Sequence, residues 1–221
     1  MKRLALALVL TACGSRGTKP AEEPKDLAAI VFSDDPVAVL ADLEDRLAAA
    51  REVEVIADVH AEGALTAEVH GELHVERERV SWIKVKGWFV DQPVQTKWSS
   101  LTPLSELTFD VTPPEWAEGL LVGAVRMGTL HNWAMVMSEK DPDIGHGDVR
   151  SWVLVEHVAW AEGGAPTRTL TWTIVVDGIP TGEVALELDE RMLPLRRRQV
   201  VHFPQGDMRV EERYRRFDVV P

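Results

Sequence analysis

The chain has 221 residues, of which 45% are hydrophobic and 27% charged, enough for one folded domain with a tail and too few for two domains of ordinary size. A formal charge of −12 makes nucleic acid and anionic membrane surfaces poor partners for the body of the protein, and a single cysteine excludes an internal disulfide or a Cys-based zinc cluster. Beyond the N-terminus no run of about 18 apolar residues exists, so the sequence offers no spanning helix.

Met1-Lys2-Arg3 is a short positive start, Leu4 to Leu10 an apolar run, and Leu10-Thr11-Ala12-Cys13 closes it with small residues before the cysteine. This is a secretory signal with the pattern of a bacterial lipobox, in which Cys13 becomes the acylated N-terminus. Residues 1–12 are read as signal peptide. Residues 13–26 are the lipidated Cys13 and a flexible tether of Gly, Pro, Ser and charge. Removing Lys2 and Arg3 takes the charge from −12 to −14. Neither Gly14 nor Ser15 is an acidic retention signal, which favours attachment to the outer membrane, facing the periplasm.

The domain is expected over residues 27–221. Asp35-Pro36 opens a helix to about residue 50, with Val37, Leu40, Leu43 and Leu47 as its buried stripe. From Val53 the period changes to two. Strands are expected over about 53–60, 65–76 and 81–89, then a short one at 94–98, with Lys84 and Lys86 facing Glu68, Glu72 and Glu76. Thr112-Pro113-Pro114-Glu115 is a capping box, and one long apolar helix is expected from there to Met137, with Gly119 and Gly123 as a close-approach face. Five more strands follow, at about 149–160, 168–176, 183–189, 195–203 and 208–217, with Asp177-Gly178 and Gln205-Gly206-Asp207 as hairpin turns. The fold class is α+β: a strongly curved, incomplete antiparallel barrel with helices covering its concave face.

Candidate sites compete with plainer readings. His60, His70, Glu72 and His74 share strand parity, but a solvated polar face accounts for them better than a metal. Asp141 to Gly145 resembles a calcium loop faintly, with Trp152 where the closing Glu belongs. No nucleophile elbow, zinc-protease helix or phosphate loop is present, and an enzyme is the minority reading, a hydrolase with a convergent acid–base pair in a cleft. Arg196-Arg197-Arg198 would hold a headgroup or phosphate, or else pair with Asp207, Glu211 and Glu212 of a hairpin partner, and the pairing is preferred. Eight tryptophans against one tyrosine either line an apolar ligand cavity, with Met127, Met135 and Met137, or build a large core.

Three stretches resemble the lipoprotein-carrier superfamily of the LolA, LolB and LppX type: VEVIADVHAEGALTAEVHGELHVERERVSWIKV, RTLTWTIVVDGIPTGEVALELDE, and the closing hairpin RMLPLRRRQVVHFPQGDMRVEERYRRF. Residues 99–112 depart from that pattern. The resemblance implies a periplasmic half-barrel that binds or carries a lipid or acyl chain in an apolar cavity, without chemistry and without a cofactor. The expected lining is Leu65, Val69, Leu73, Ile83, Val85, Leu120, Leu121, Met127 and Trp133. The alternative is a ligand-free envelope interaction or sensor module on the same scaffold. Implied partners are the lipid, the membrane through Cys13, and an envelope protein; nucleic acid is not one.

Overall fold

In the computed structural model, described for residues 33–101, 114–142, 148–162 and 168–221, the period-two pattern forms one nine-stranded sheet. The strands are β1 (Glu52–Gly63), β2 (Ala67–Glu76), β3 (Trp82–Phe89), β4 (Gln92–Ser99), β5 (Val153–Trp160), β6 (Arg168–Val176), β7 (Ile179–Leu188), β8 (Pro194–Phe203) and β9 (Gly206–Val220). The helices are α1 (Pro36–Ala49), α2 (Pro114–Met127) and α3 (Thr129–Met137), with a 3-10 turn at Val149–Ser151. The signal peptide, Cys13 and tether, Thr112-Pro113 of the capping box, and residues 143–147 of the calcium-like segment lie outside the described residues.

The sheet order is β4-β3-β2-β1-β9-β8-β7-β6-β5, antiparallel at every junction. Two meanders therefore meet at β1–β9, and the described β4 and β5 are the edges, so the sheet is open. The chain leaves at β4, passes through α2 and α3, and re-enters at β5 on the opposite edge. Register shifts at Ile56/Ala57, Glu156/Ala159, Ile174/Val175 and Glu187/Leu188 put bends into four of the eight junctions. The first leaves Arg215 unpaired on β9 and restores Phe217 to the side of Tyr214, both of which are buried.

One sheet face is apolar. Val53, Val55, Ala57, Val59 and Ala61 of β1 are buried, as are Val69, Leu73, Ile83 and Val85 of β2 and β3 and Leu170, Ile174, Val184 and Leu186 of β6 and β7. Helix α1 starts as its sequence dictates: the Asp35 carboxylate accepts from the Val37 N–H at 3.0 Å, with Pro36 in the first turn. Its buried stripe is Val39, Leu40, Leu43 and Leu47. Val37 is 56% exposed, because it lies about 90° round the helix from the centre of that stripe.

The expected long helix is two. It breaks at Gly128, whose φ of +94° no other residue type adopts comfortably, and α3 restarts at Thr129. A Cβ at Gly128 would stand 2.7 Å from Glu212 Oε1, so the break is also the point where the helix pair meets β8 and β9. Gly119 and Gly123 do not mediate a close approach. A Cβ on Gly119 has no described atom within 4 Å, and one on Gly123 meets Met127 and Asn132 at ordinary distances of 3.7 and 3.8 Å. Gly71 of β2 has that role instead: a Cβ there would come within 2.4 Å of the Trp133 indole.

Buried charge ties α1 to α2. Arg126 donates to both Glu44 oxygens at 2.7 and 2.9 Å and to the Val153 carbonyl of β5 at 2.5 Å. Arg150 adds a 3.2 Å bond to Glu44 and a 3.0 Å bond to Glu118.

Candidate functional site

The helix-covered face holds most of the residues expected to line a cavity. Val69, Leu73, Ile83, Val85, Leu120, Leu121 and Trp133 are each 3% exposed or less, while Leu65, in the turn after β1, and Met127 are half-buried. They do not form one wall. Helix α2, with Leu120 and Leu121, packs on α1, α3 and β5, whereas α3 packs on β3 and β4. Trp133 reaches the sheet over Gly71, which pairs with Val85 and stands between Val69 and Leu73. The β2–β3 residues and Trp133 thus converge, and the α2 residues lie elsewhere on the covered side.

Between these regions sits a buried polar cluster around Arg197 and Glu212. Arg197 and Glu212 are 0% exposed and directly opposed across β8 and β9. Arg197 donates to the carbonyls of Val125 and Arg126 at 2.6 and 2.9 Å, closing the C-terminal end of α2, and to Gln199 at 2.9 Å. Glu212 accepts from the N–H groups of Thr129 and Leu130 at 3.2 and 3.0 Å, closing the N-terminal end of α3. Each charge thus meets the helix pole of opposite sign. Tyr214 donates to Glu212 at 2.5 Å. Burial, then the Glu212 charge, holds the Tyr214 hydroxyl well above its ordinary 10.0, so it stays a donor. Burial pushes the Arg197 pKa below its ordinary value against the pull of Glu212 and Tyr214. The guanidinium also lies 5.4 Å from the Trp172 ring centroid.

Of the neighbouring arginines, one follows the expected hairpin pairing. Arg196 does so, with Glu211 at 2.8 Å, whereas Arg198 pairs with Glu187 of β7 at 3.2 Å, and Asp207 pairs with His202 at 2.9 Å in place of an arginine. Alternation along β8 was the available signal. It puts Arg197 on the face opposite Arg196 and Arg198, where Glu212 also points.

The polar sheet face carries hollows. One of about 730 Å³ spans β1 and β6–β9, lined by His60, Thr171, Thr173, Arg198 and Arg209 among others. A second, about 900 Å³, lies over β1–β4 and β9, with Asp58, His70, Lys86, Trp88, Arg213 and Arg215. His70 Nδ1 is 2.9 Å from Asp58, whose other oxygen accepts from the bulge residue Arg215. Among the residues that line this hollow, none carries a hydroxyl or thiol. No three of His, Cys, Asp and Glu come together to hold a metal among the described residues. His74 instead stacks on Trp82 at 5.4 Å.

Burial works to raise the Asp58 carboxyl, but hydrogen bonds from His70 and Arg215 and their charges outweigh it and hold it below 3.8. Hydrogen bonds from Arg196 and Arg213 hold Glu211 below 4.5. For carboxyls depressed on folding, the stabilisation is present above the ordinary value and is lost as pH falls through the folded one. The urea midpoint is therefore expected to drop as pH is taken from about 5 to about 3, and Asp58→Asn or Glu211→Gln to flatten that drop. A parallel fall in both variants would show that these carboxyls are not its source.

The class defined so far is an α+β domain with an open antiparallel sheet, apolar on the side where its helices pack. No family model matches the chain, and no curated protein matches it. Among solved structures it is similar to a LolA superfamily protein from Nitrosomonas europaea, at 8% identity over 86% of this chain and 95% of that one, with a TM-score of 0.30. It is also similar to a DUF1329 family protein from Desulfovibrio piger, at 9% identity over 84% and 93%, with a TM-score of 0.30. The first belongs to the superfamily that the sequence motifs resemble. At these values the likeness carries no argument about ligand or mechanism. No helix among the described residues is long and apolar enough to cross a membrane.

Proposed function

We propose that this chain is an envelope lipoprotein, anchored through Cys13 to the periplasmic side of the outer membrane. In this reading its helices cover the concave side of the sheet, and the domain holds a lipid acyl chain there without chemistry. The observation that carries the reading is the notch at Gly71. Val69, Leu73, Ile83 and Val85 make a continuous apolar surface with no side chain at its middle, and the Trp133 indole fills the gap. An acyl chain replacing that indole loses the burial of about 150–250 Å² of aromatic surface, about 4–6 kcal/mol, and gains about 0.8 kcal/mol for each methylene buried, so about five to eight methylenes decide the exchange. Leu65, Leu120, Leu121 and Met127 would extend the wall. The second reading, a ligand-free interaction or sensor module, is favoured by the same notch being occupied by the protein's own tryptophan.

The test is native mass spectrometry of two proteins exported to a bacterial periplasm, one with its own signal and one as residues 13–221 with Cys13→Ser behind a cleavable signal. The first is expected to start at Cys13 with covalent diacylglyceryl mass. The second is expected to carry a non-covalent mass that extracts as lipid. A clean apo mass that takes up neither phospholipid nor fatty acid overturns the acyl-chain reading and leaves the interaction module.

A further inference from the structure

We propose that the hollow between β2, β3 and β4 on the polar sheet face is a binding site for a phosphate-bearing anion, held by Lys84, Lys86 and Lys97. The site goes beyond the acyl-chain reading and does not depend on it. The hollow is about 370 Å³ and is lined by these three lysines with His70, Glu72 and Gln95. Residues 33–221 contain four lysines, and the fourth, Lys140, lies outside it. Elsewhere in the domain cations are mostly arginines set against carboxylates, as Arg46, Arg150, Arg196, Arg198, Arg213 and Arg216 are.

These lysines are arranged differently. Lys84 and Lys97 are directly opposed across β3 and β4, an arrangement of like charges that destabilises a sheet unless an anion lies between them. Lys86 faces His70 on one side and Gln95 on the other. Lys84 is fixed by Glu72 at 3.4 Å and by the Trp82 ring, 3.9 Å from its centroid. Lys86 and Lys97 have no carboxylate partner among the described residues, although the chain has 36 acidic residues against 24 basic ones. Among the residues that line this hollow, three ammonium groups stand against the one carboxylate of Glu72, a surplus that matches the −1.5 to −2 or so of a phosphate monoester near neutral pH. Lysines serve here as point charges, and Gln95 supplies an amide N–H donor. The same chemistry is presented by a soluble phosphate compound and by a lipid with a terminal phosphate.

The experiment uses residues 13–221 with Cys13→Ser, so that no acyl anchor contributes. Pyrophosphate is titrated calorimetrically and by thermal midpoint, and the protein is sedimented with phosphatidylcholine vesicles with and without one-fifth phosphatidic acid. Saturable pyrophosphate binding is expected that weakens with salt and falls at least about tenfold in Lys86→Gln/Lys97→Gln, while Lys140→Gln behaves as the parent. Lys97→Gln is expected to raise the midpoint without anion and to shrink the rise on adding it. A lysine that only stabilised the hairpin would lower the midpoint. Vesicle binding that requires both phosphatidic acid and the lysines assigns the lipid source, and pyrophosphate binding alone assigns a soluble one; both support the site. Absence of binding in both arms, or undiminished binding by the double variant, overturns it. A chain that binds pyrophosphate while carrying no lipid mass would count against the acyl-chain reading alone.

Discussion

Glu212→Leu is expected to lower unfolding stability by about 3–5 kcal/mol in urea denaturation near neutral pH, and Arg197→Met by a similar amount. Both side chains are fully buried, and each removal strands the other charge in the interior. Loss of Glu212 also orphans the Thr129 and Leu130 N–H groups and the Tyr214 hydroxyl. Loss of Arg197 orphans the Val125 and Arg126 carbonyls.

The double variant separates these effects. With both charges gone no uncompensated ion remains, so its cost should fall short of the summed single costs by about 2 kcal/mol or more. It should not return to the parent, because two helix ends stay uncapped at about 1 kcal/mol each. Additive single effects would mean that Arg197 and Glu212 act only as separate caps. Far-ultraviolet dichroism adds a second readout: Glu212→Leu should loosen α3, whose first residue follows Gly128 without a side-chain cap of its own.

Local periodicity made most of the frame legible. The capping of α1 by Asp35 and Pro36, the alternation along β1 to β3, and the turn at Asp177-Gly178 are read directly from residue spacing, and all occur. What could not be read depended on distant partners. An apolar run from Glu115 to Met137 has one helical period throughout, and Gly128 inside it costs only about 1 kcal/mol relative to alanine. It becomes a break because Arg197 and Glu212, about 70 to 80 residues away in sequence, bind the two new helix ends. Arg197 read as one of three alike arginines in a hairpin pairing for the same reason. The triplet is legible, but what covers one strand face is set by topology.

The candidate site shows the same division. Hydrophobic spacing identified Val69, Leu73, Ile83 and Val85 as one face, and they are one face. It could not say that α3 rather than α2 covers them, or that Gly71 is the contact point, since a glycine in a strand announces no particular partner. The lysine hollow was visible as Lys84 and Lys86 facing glutamates. Lys97 joined it only through the β3–β4 register, which sets it directly opposite Lys84.

The second large effect is expected at the Trp133–Gly71 contact. Trp133→Ala should cost about 3–5 kcal/mol, since a fully buried indole is replaced by a void that the strands cannot fill by collapse. Gly71→Ala approaches the same contact from the sheet: its Cβ would overlap the indole at 2.4 Å and should cost about 1–3 kcal/mol. In the parent the two substitutions conflict with one structure, so the pair should be less destabilising than the sum, the new methyl occupying part of the vacated volume. Trp133→Ala also tests whether the notch accepts hydrocarbon. An apolar void of this kind binds apolar ligands, so a medium-chain fatty acid should raise the midpoint of Trp133→Ala more than that of the parent. In Gly71→Ala/Trp133→Ala the added methyl should reduce that rise. Equal shifts in all three proteins would place fatty-acid binding away from Gly71 and remove the notch as the seat of the acyl chain. A graded response would identify Trp133 as the side chain that the acyl chain displaces.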